Sequence, residues 1–338
     1  MERSKFVCNC KLKQERNDKK MEGKKKNLAE SGNEINTAEL LKRLEHPSGR
    51  VDVVLDTDTF NEIDDQFALA YLICSKEKLD LQAVYAAPFS NEKAKDPAEG
   101  MEKSYQEILH ILTLMERDDL KPAVYRGSTS FLSSETEPVL SEAAKDLAER
   151  AMKYTKEKPL YVVSIGAITN IASALLLKPE IRERMVVVWL GGHSLHWPDT
   201  REFNMEHDVA AARIIFGCGV ALVQLPCAGV VSEFATSGPE LEYHLRGKNK
   251  LCDYLVDLTK SEAEKYAKGK AWTRIIWDVT AVAWLLDGDF EEDYLIHSPI
   301  PGYDNHYVLD PQRHFIRYVY HVKRDSLFTD LFAKLGRS

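Results

Sequence analysis

The chain has little cysteine, no long apolar run and no surplus of basic charge. Six cysteines among 338 residues are too few and too scattered for the disulfide framework of an extracellular domain. Cys8 and Cys10 form a C-x-C with no second pair nearby, which is weak support for structural zinc. The other four lie in apolar stretches and read as buried thiols. No apolar run reaches the roughly 18–20 residues of a membrane span. The N-terminus lacks the apolar core of a signal peptide. A cytoplasmic protein without a membrane partner is therefore expected. With 53 acidic and 45 basic side chains, the net charge is −8. A nucleic-acid polymer is excluded as a partner, because neutralising phosphates needs a basic face. There is no internal repeat, and Gly217-Cys218-Gly219 lacks the third glycine of a dinucleotide-binding turn.

What is present is globular: 44% hydrophobic and 29% charged residues. The charge is uneven. Residues 1–50 hold 13 Lys/Arg and 8 Asp/Glu, so the remaining 288 carry a net −13. Residues 1–46 are expected to form a basic extension, flexible over its polar first 36 residues, with Lys24, Lys25 and Lys26 a candidate surface contact. Ala38–Leu44 reads as a short amphipathic helix. Residues 47–338 are expected to form one catalytic domain.

From Val51 onward, strand and helix patterns alternate. Strands are expected at Val51–Leu55, Leu81–Ala87, Leu160–Ser164, Met185–Leu190 and Val220–Leu225. Helices are expected at Asp64–Ser75, Pro97–Met115, Ile168–Leu177 and Val209–Phe216. This order predicts an α/β fold with an open, mainly parallel sheet flanked by helices. His306–Leu309 and His314–Val322 flank Asp310-Pro311 and predict a C-terminal hairpin, followed by a last helix over Ser326–Leu335. Ligands of such sheets bind beyond the carboxyl ends of the strands, so chemistry is sought just after each strand.

The first strand runs into Asp56-Thr57-Asp58, then Glu62, Asp64 and Asp65. Five acids in ten residues repel one another unless a cation or protons intervene. Asp64 and Asp65 could cap the next helix, which explains two of the five. An all-oxygen set favours Ca²⁺ or Mg²⁺ over zinc. Asp278 lies between the apolar flanks RIIW and VTAVAWLL, where a lone carboxylate needs a partner.

The segment VVLDTDTFNEIDDQFALAYL resembles the signature of the inosine–uridine-preferring nucleoside hydrolases, D-x-D-P-G-x-D-D-x-x-A. Five residues separate Asp58 from Asp64 where that signature has three. Asn91 after the second strand, the turn Ile165-Gly166-Ala167-Ile168-Thr169-Asn170, Gly191-Gly192, Glu202-Phe203-Asn204 and Trp277-Asp278 follow in the family's order. The resemblance covers about residues 51–335 and implies hydrolysis of a ribonucleoside to base and ribose. It implies Ca²⁺ held by Asp58, Asp65, Asp278 and the main-chain carbonyl of Ile165, with Asp58 as general base. Asp64, Asn91, Glu202 and Asn204 would hold ribose hydroxyls. Trp277 stands where many relatives have histidine and would stack on the base, a lean toward purines. His193, His196 and Trp197 near the Glu202 loop could contact the 5′ end or the base. The resemblance also implies a homodimer or homotetramer. Two rival readings are a haloacid dehalogenase-type phosphatase with Asp56 as nucleophile, and a catalytically silent nucleoside-binding protein.

Overall fold

The computed structural model describes residues 27–337. Cys8, Cys10 and Lys24–Lys26 lie outside the described residues. An eight-stranded sheet forms the centre. Its strands are β1 (Val51–Thr57), β2 (Leu79–Ala86), β3 (Val124–Arg126), β4 (Leu160–Ser164), β5 (Met185–Leu190), β6 (Ala221–Leu225), β9 (Glu291–His297) and β12 (Phe315–Val322), in the order β3-β2-β1-β4-β5-β6-β12-β9. Only the β12–β9 pairing at the edge is antiparallel. Two short antiparallel pairs stand apart: β7 (Ala235–Thr236) with β8 (Arg274–Ile275), and β10 (Ile300–Pro301) with β11 (Tyr307–Val308).

Every residue of β4, β5 and β6 is buried, as apolar runs such as MVVVWL require when helices cover both faces. Successive β1 side chains feed different cores: Val53 and Leu55 join one cluster, Val54 the other. The helix Asp64–Cys74 is buried from Asp64 to Ile73. It is apolar nearly all round, as a helix enclosed on all sides should be.

Strand order reverses between β1 and β4. The crevice outside their carboxyl ends is the switch point where α/β sheets bind ligands. The predicted fold class is borne out, and the strands at Leu160–Ser164 and Met185–Leu190 have the predicted bounds. The C-terminal hairpin is corrected. Phe315–Val322 pairs with Glu291–His297, and Tyr307–Val308 pairs with Ile300–Pro301. Asp310-Pro311 does make a turn, but the sheet edge offered β12 longer partners than the short run before that turn. A second correction concerns the extension. Its described part belongs to the body: Leu28, Ala29, Leu40 and Leu44 are buried, and a Cβ on Gly217 would collide with the Ala29 backbone. The helices Glu142–Ala151, Gly238–Leu245 and Lys250–Ala267 were not foreseen. Among the described residues, no helix is long and apolar enough to cross a membrane.

Candidate active site

A cavity of about 200 Å³ opens at the switch point. It is lined by Asp58, Asp64 and Asp65 from the loop and helix after β1, Ile165 after β4, Glu202 and Asn204 after β5, and Trp277 and Asp278. Eight of the nine residues singled out in the sequence thus converge, from segments more than 200 positions apart.

The carboxylates dominate the site. Asp64, Asp65 and Asp278 each offer an oxygen, all within 4.8 Å of one another, and can hold a metal ion. Asp58 lies beside this trio, and burial followed by the charges of Asp65 and Asp64 raises its pKa well above the carboxylate range. Burial and neighbouring carboxylates likewise push Asp65 and Asp278 well up. Asp64 is pushed up to about 6 by burial and Glu62, and the guanidinium of Arg274, 3.8 Å away, works against that shift. Asp58 Oδ2 and Asp64 Oδ1 are buried without a hydrogen-bond partner. Buried, unpartnered, mutually repelling carboxylates are the arrangement that a divalent cation resolves.

Neighbouring residues aim these groups. Thr57 Oγ1 donates to Asp65 Oδ1. Gly166 lets the β4 turn approach closely, since a Cβ there would lie 3.1 Å from Asp58 Oδ1. Asp56 faces away from the cavity. Its oxygens accept from Ser164 Oγ at 3.0 Å and Asn170 Nδ2 at 2.8 Å, and burial pushes it up to about 7. A carboxylate enclosed in this way braces β1 against β4. It is not an exposed nucleophile, which removes the phosphatase reading.

The polar residues expected on ribose have further tasks. Glu202 caps the helix Phe203–His207, accepting from the backbone N–H groups of Asn204, Met205 and Gly192 at 2.8–2.9 Å. Those bonds favour its ionised form, but burial prevails and pushes it up to about 7. The Asn204 amide donates to the carbonyls of Leu190 at 3.0 Å and Ile165 at 3.3 Å. It therefore orients the carbonyl expected to bind metal. Asn91 does not line the cavity. Its Oδ1 accepts from Lys93 N–H and its Nδ2 donates to Asn61 Oδ1 at 2.7 Å, a side-chain turn. Asn61, in the longer loop after Asp58, reaches the cavity instead. The sequence signal for it was the two-residue excess between Asp58 and Asp64. His193 lines the cavity, while His196 and Trp197 do not. Its Nδ1 accepts from Ala228 N–H at 3.2 Å, so the neutral ring carries its proton on Nε2, and burial lowers its basicity. Cys227, read from the sequence only as a buried thiol, is buried and also lines the cavity.

The family model of the inosine-uridine preferring nucleoside hydrolases matches residues 53–302. The chain belongs to this family. It is therefore a hydrolase acting on N-glycosyl bonds, releasing base and ribose from ribonucleosides. The pyrimidine-specific ribonucleoside hydrolase RihA of Salmonella paratyphi A is 24% identical over 260 residues, covering 69% of this hydrolase and 79% of RihA. Two solved structures share the fold. A plant nucleoside hydrolase, the PpNRh1 enzyme, has a TM-score of 0.68 at 20% identity, over 86% of this chain and 100% of that one. A purine-preferring ribonucleoside hydrolase from Gardnerella vaginalis has a TM-score of 0.64 at 20% identity, over 85% and 98%.

Proposed function

We propose that this nucleoside hydrolase is calcium-dependent and prefers purine nucleosides. The unpartnered oxygens of Asp58 and Asp64 beside Asp65 and Asp278 carry the metal reading. Asp58, Asp65, Asp278 and the Ile165 carbonyl are the proposed ligands, an all-oxygen set suited to Ca²⁺. When bound, the cation supplies Lewis-acid polarisation of the attacking water and the ribose hydroxyls.

The protein's own groups do the rest. Asp58 accepts the proton of the water that attacks the anomeric carbon. Asp64 accepts a hydrogen bond from a ribose hydroxyl, and Asn61 and Asn204 stand along the same wall. The new C–O bond forms as the C–N bond breaks, and the electron pair leaves with the base, which takes up a proton from solvent at a ring nitrogen while Asp58 later returns its proton to solvent. Trp277 offers its indole to the base. A purine presents more ring area to that face than a pyrimidine, which supports the purine preference. RihA and the Gardnerella enzyme differ in their named preferences, so the lean rests on Trp277. We also propose that the protein acts in the cytoplasm and, by the resemblance, assembles as a homodimer or homotetramer, which light scattering on purified protein tests.

Reducing-sugar release from inosine, guanosine, uridine and cytidine, with and without chelator, tests the reading. Purine turnover that is lost in chelator and restored by Ca²⁺ is expected. Faster release from uridine and cytidine sinks the purine preference, and undiminished turnover in chelator sinks the metal.

A further inference from the structure

A second cavity, of about 660 Å³, lies at the amino ends of β1 and β4. It is separated from the catalytic pocket by the length of β1, seven residues or roughly 20 Å at the rise of a strand. Six lysines and arginines line it against three carboxylates, in a chain whose net charge is −8. Asp52 already accepts from the Tyr154 hydroxyl at 2.8 Å.

Arg43 is the decisive residue. It lines this cavity, is 4% exposed, and among the described residues none of its three guanidinium nitrogens has a hydrogen-bond partner. Burial lowers its basicity, opposed by the more distant charges of Glu183, Glu39 and Glu157. A buried arginine left unpaired is strongly unfavourable, and an anion placed against it offsets that cost. Lys42, Lys153 and Lys158 stand around the same cavity.

We propose that this cavity binds a phosphorylated small molecule carrying two or more negative charges, through Arg43, Lys42 and Lys158. A guanidinium with several ammonium groups is the side-chain set that grips phosphate oxygens. The volume exceeds that needed by a single phosphate and falls in the range of ligand pockets.

Calorimetric titration of the full chain with inorganic pyrophosphate tests this. The protein is first stripped of divalent ions, so that the catalytic carboxylates recruit none of the probe. One pyrophosphate per chain is expected, with affinity falling as salt rises. Lys42→Glu with Lys158→Glu, both exposed positions, weakens binding at least tenfold and leaves nucleoside turnover within twofold. Arg43→Met abolishes binding; should it fail to fold, the exposed pair still decides. ADP binding tighter than pyrophosphate supports a nucleotide ligand, and equal affinities support recognition of the phosphates alone. Absence of binding, equal affinity for sulfate, or unchanged binding by the double variant overturns the proposal. Loss of binding in Asp58→Asn also overturns it, because the probe would then sit in the catalytic pocket.

Discussion

The two ends of the central sheet carry opposite electrostatic problems. At the carboxyl ends of β1 and β4, Asp58, Asp64, Asp65 and Asp278 are buried together, and each is pushed toward its protonated form. At the amino ends of β1 and β4, Arg43 is buried without a hydrogen-bond partner among the described residues and is pushed toward its neutral form. Burial is the first cause in every case. A strand only seven residues long holds these two sites of opposite charge roughly 20 Å apart, and that distance, not the low-dielectric core between them, keeps their mutual attraction small.

The most severe way to break the catalytic end is Asp58→Asn, which removes the proposed base while keeping shape and polarity. A fall in kcat of about 10³-fold is expected with the circular dichroism spectrum unchanged. Wild-type kcat in that variant refutes the assignment. Next in size is Asp278→Ala, expected to weaken Ca²⁺ binding by about 100-fold in a calorimetric titration. An unchanged affinity removes Asp278 from the ligand set.

A third buried group, His314 just before β12 and outside both cavities, is probed by pH. His314 is buried with both ring nitrogens unpartnered, and burial with Arg313, Arg182 and His297 lowers it to about 4. Its unfolded value is near 6.5. A depressed group of this kind contributes stability above pH 6.5, and that stability is lost as pH falls toward 4. About 3 kcal/mol is expected to disappear across this window, and His314→Phe should flatten that part of the melting-temperature profile. An identical profile in the variant means that His314 does not carry the acid sensitivity. The smallest effect is expected from Trp277→Leu. The KM for inosine should rise about tenfold, as expected for lost aromatic stacking, and the KM for uridine less. Equal changes for both substrates would detach Trp277 from base preference.

Much of the catalytic end was legible because its residues cluster in sequence or follow strands with strong apolar patterns. Asp58, Asp64 and Asp65 are close neighbours in the chain, and Asp278 stands out as a charge between apolar flanks. Asn91 forms a side-chain turn outside the cavity lining, and a short amide after a strand suits a substrate contact and such a turn equally well. Its partner Asn61 entered the cavity through a loop longer than the family pattern. Glu202 was picked out by its motif, yet its three backbone partners depend on how the Gly191-Gly192 turn folds back over the helix Phe203–His207. Gly192 adopts φ +74° there, and a Cβ on it would collide with the Tyr307 hydroxyl. The hairpin near Asp310-Pro311 failed for a related reason. Local turn chemistry marks where a chain reverses, not which strand waits at the sheet edge.

The sequence by itself determined the parallel α/β order, the acidic cluster after β1 and the family, because strand periodicity, charge density and motif order are local quantities. Only the tertiary structure decided that Asp56 braces while Asp58 faces the cavity, that Asn61 replaces Asn91 at the wall, and that Arg43 is buried without a partner. Each of these depends on what lies opposite a side chain once distant segments pack. Burial then converts that neighbourhood into ionisation, since a charge removed from water responds to whichever groups the fold has placed against it.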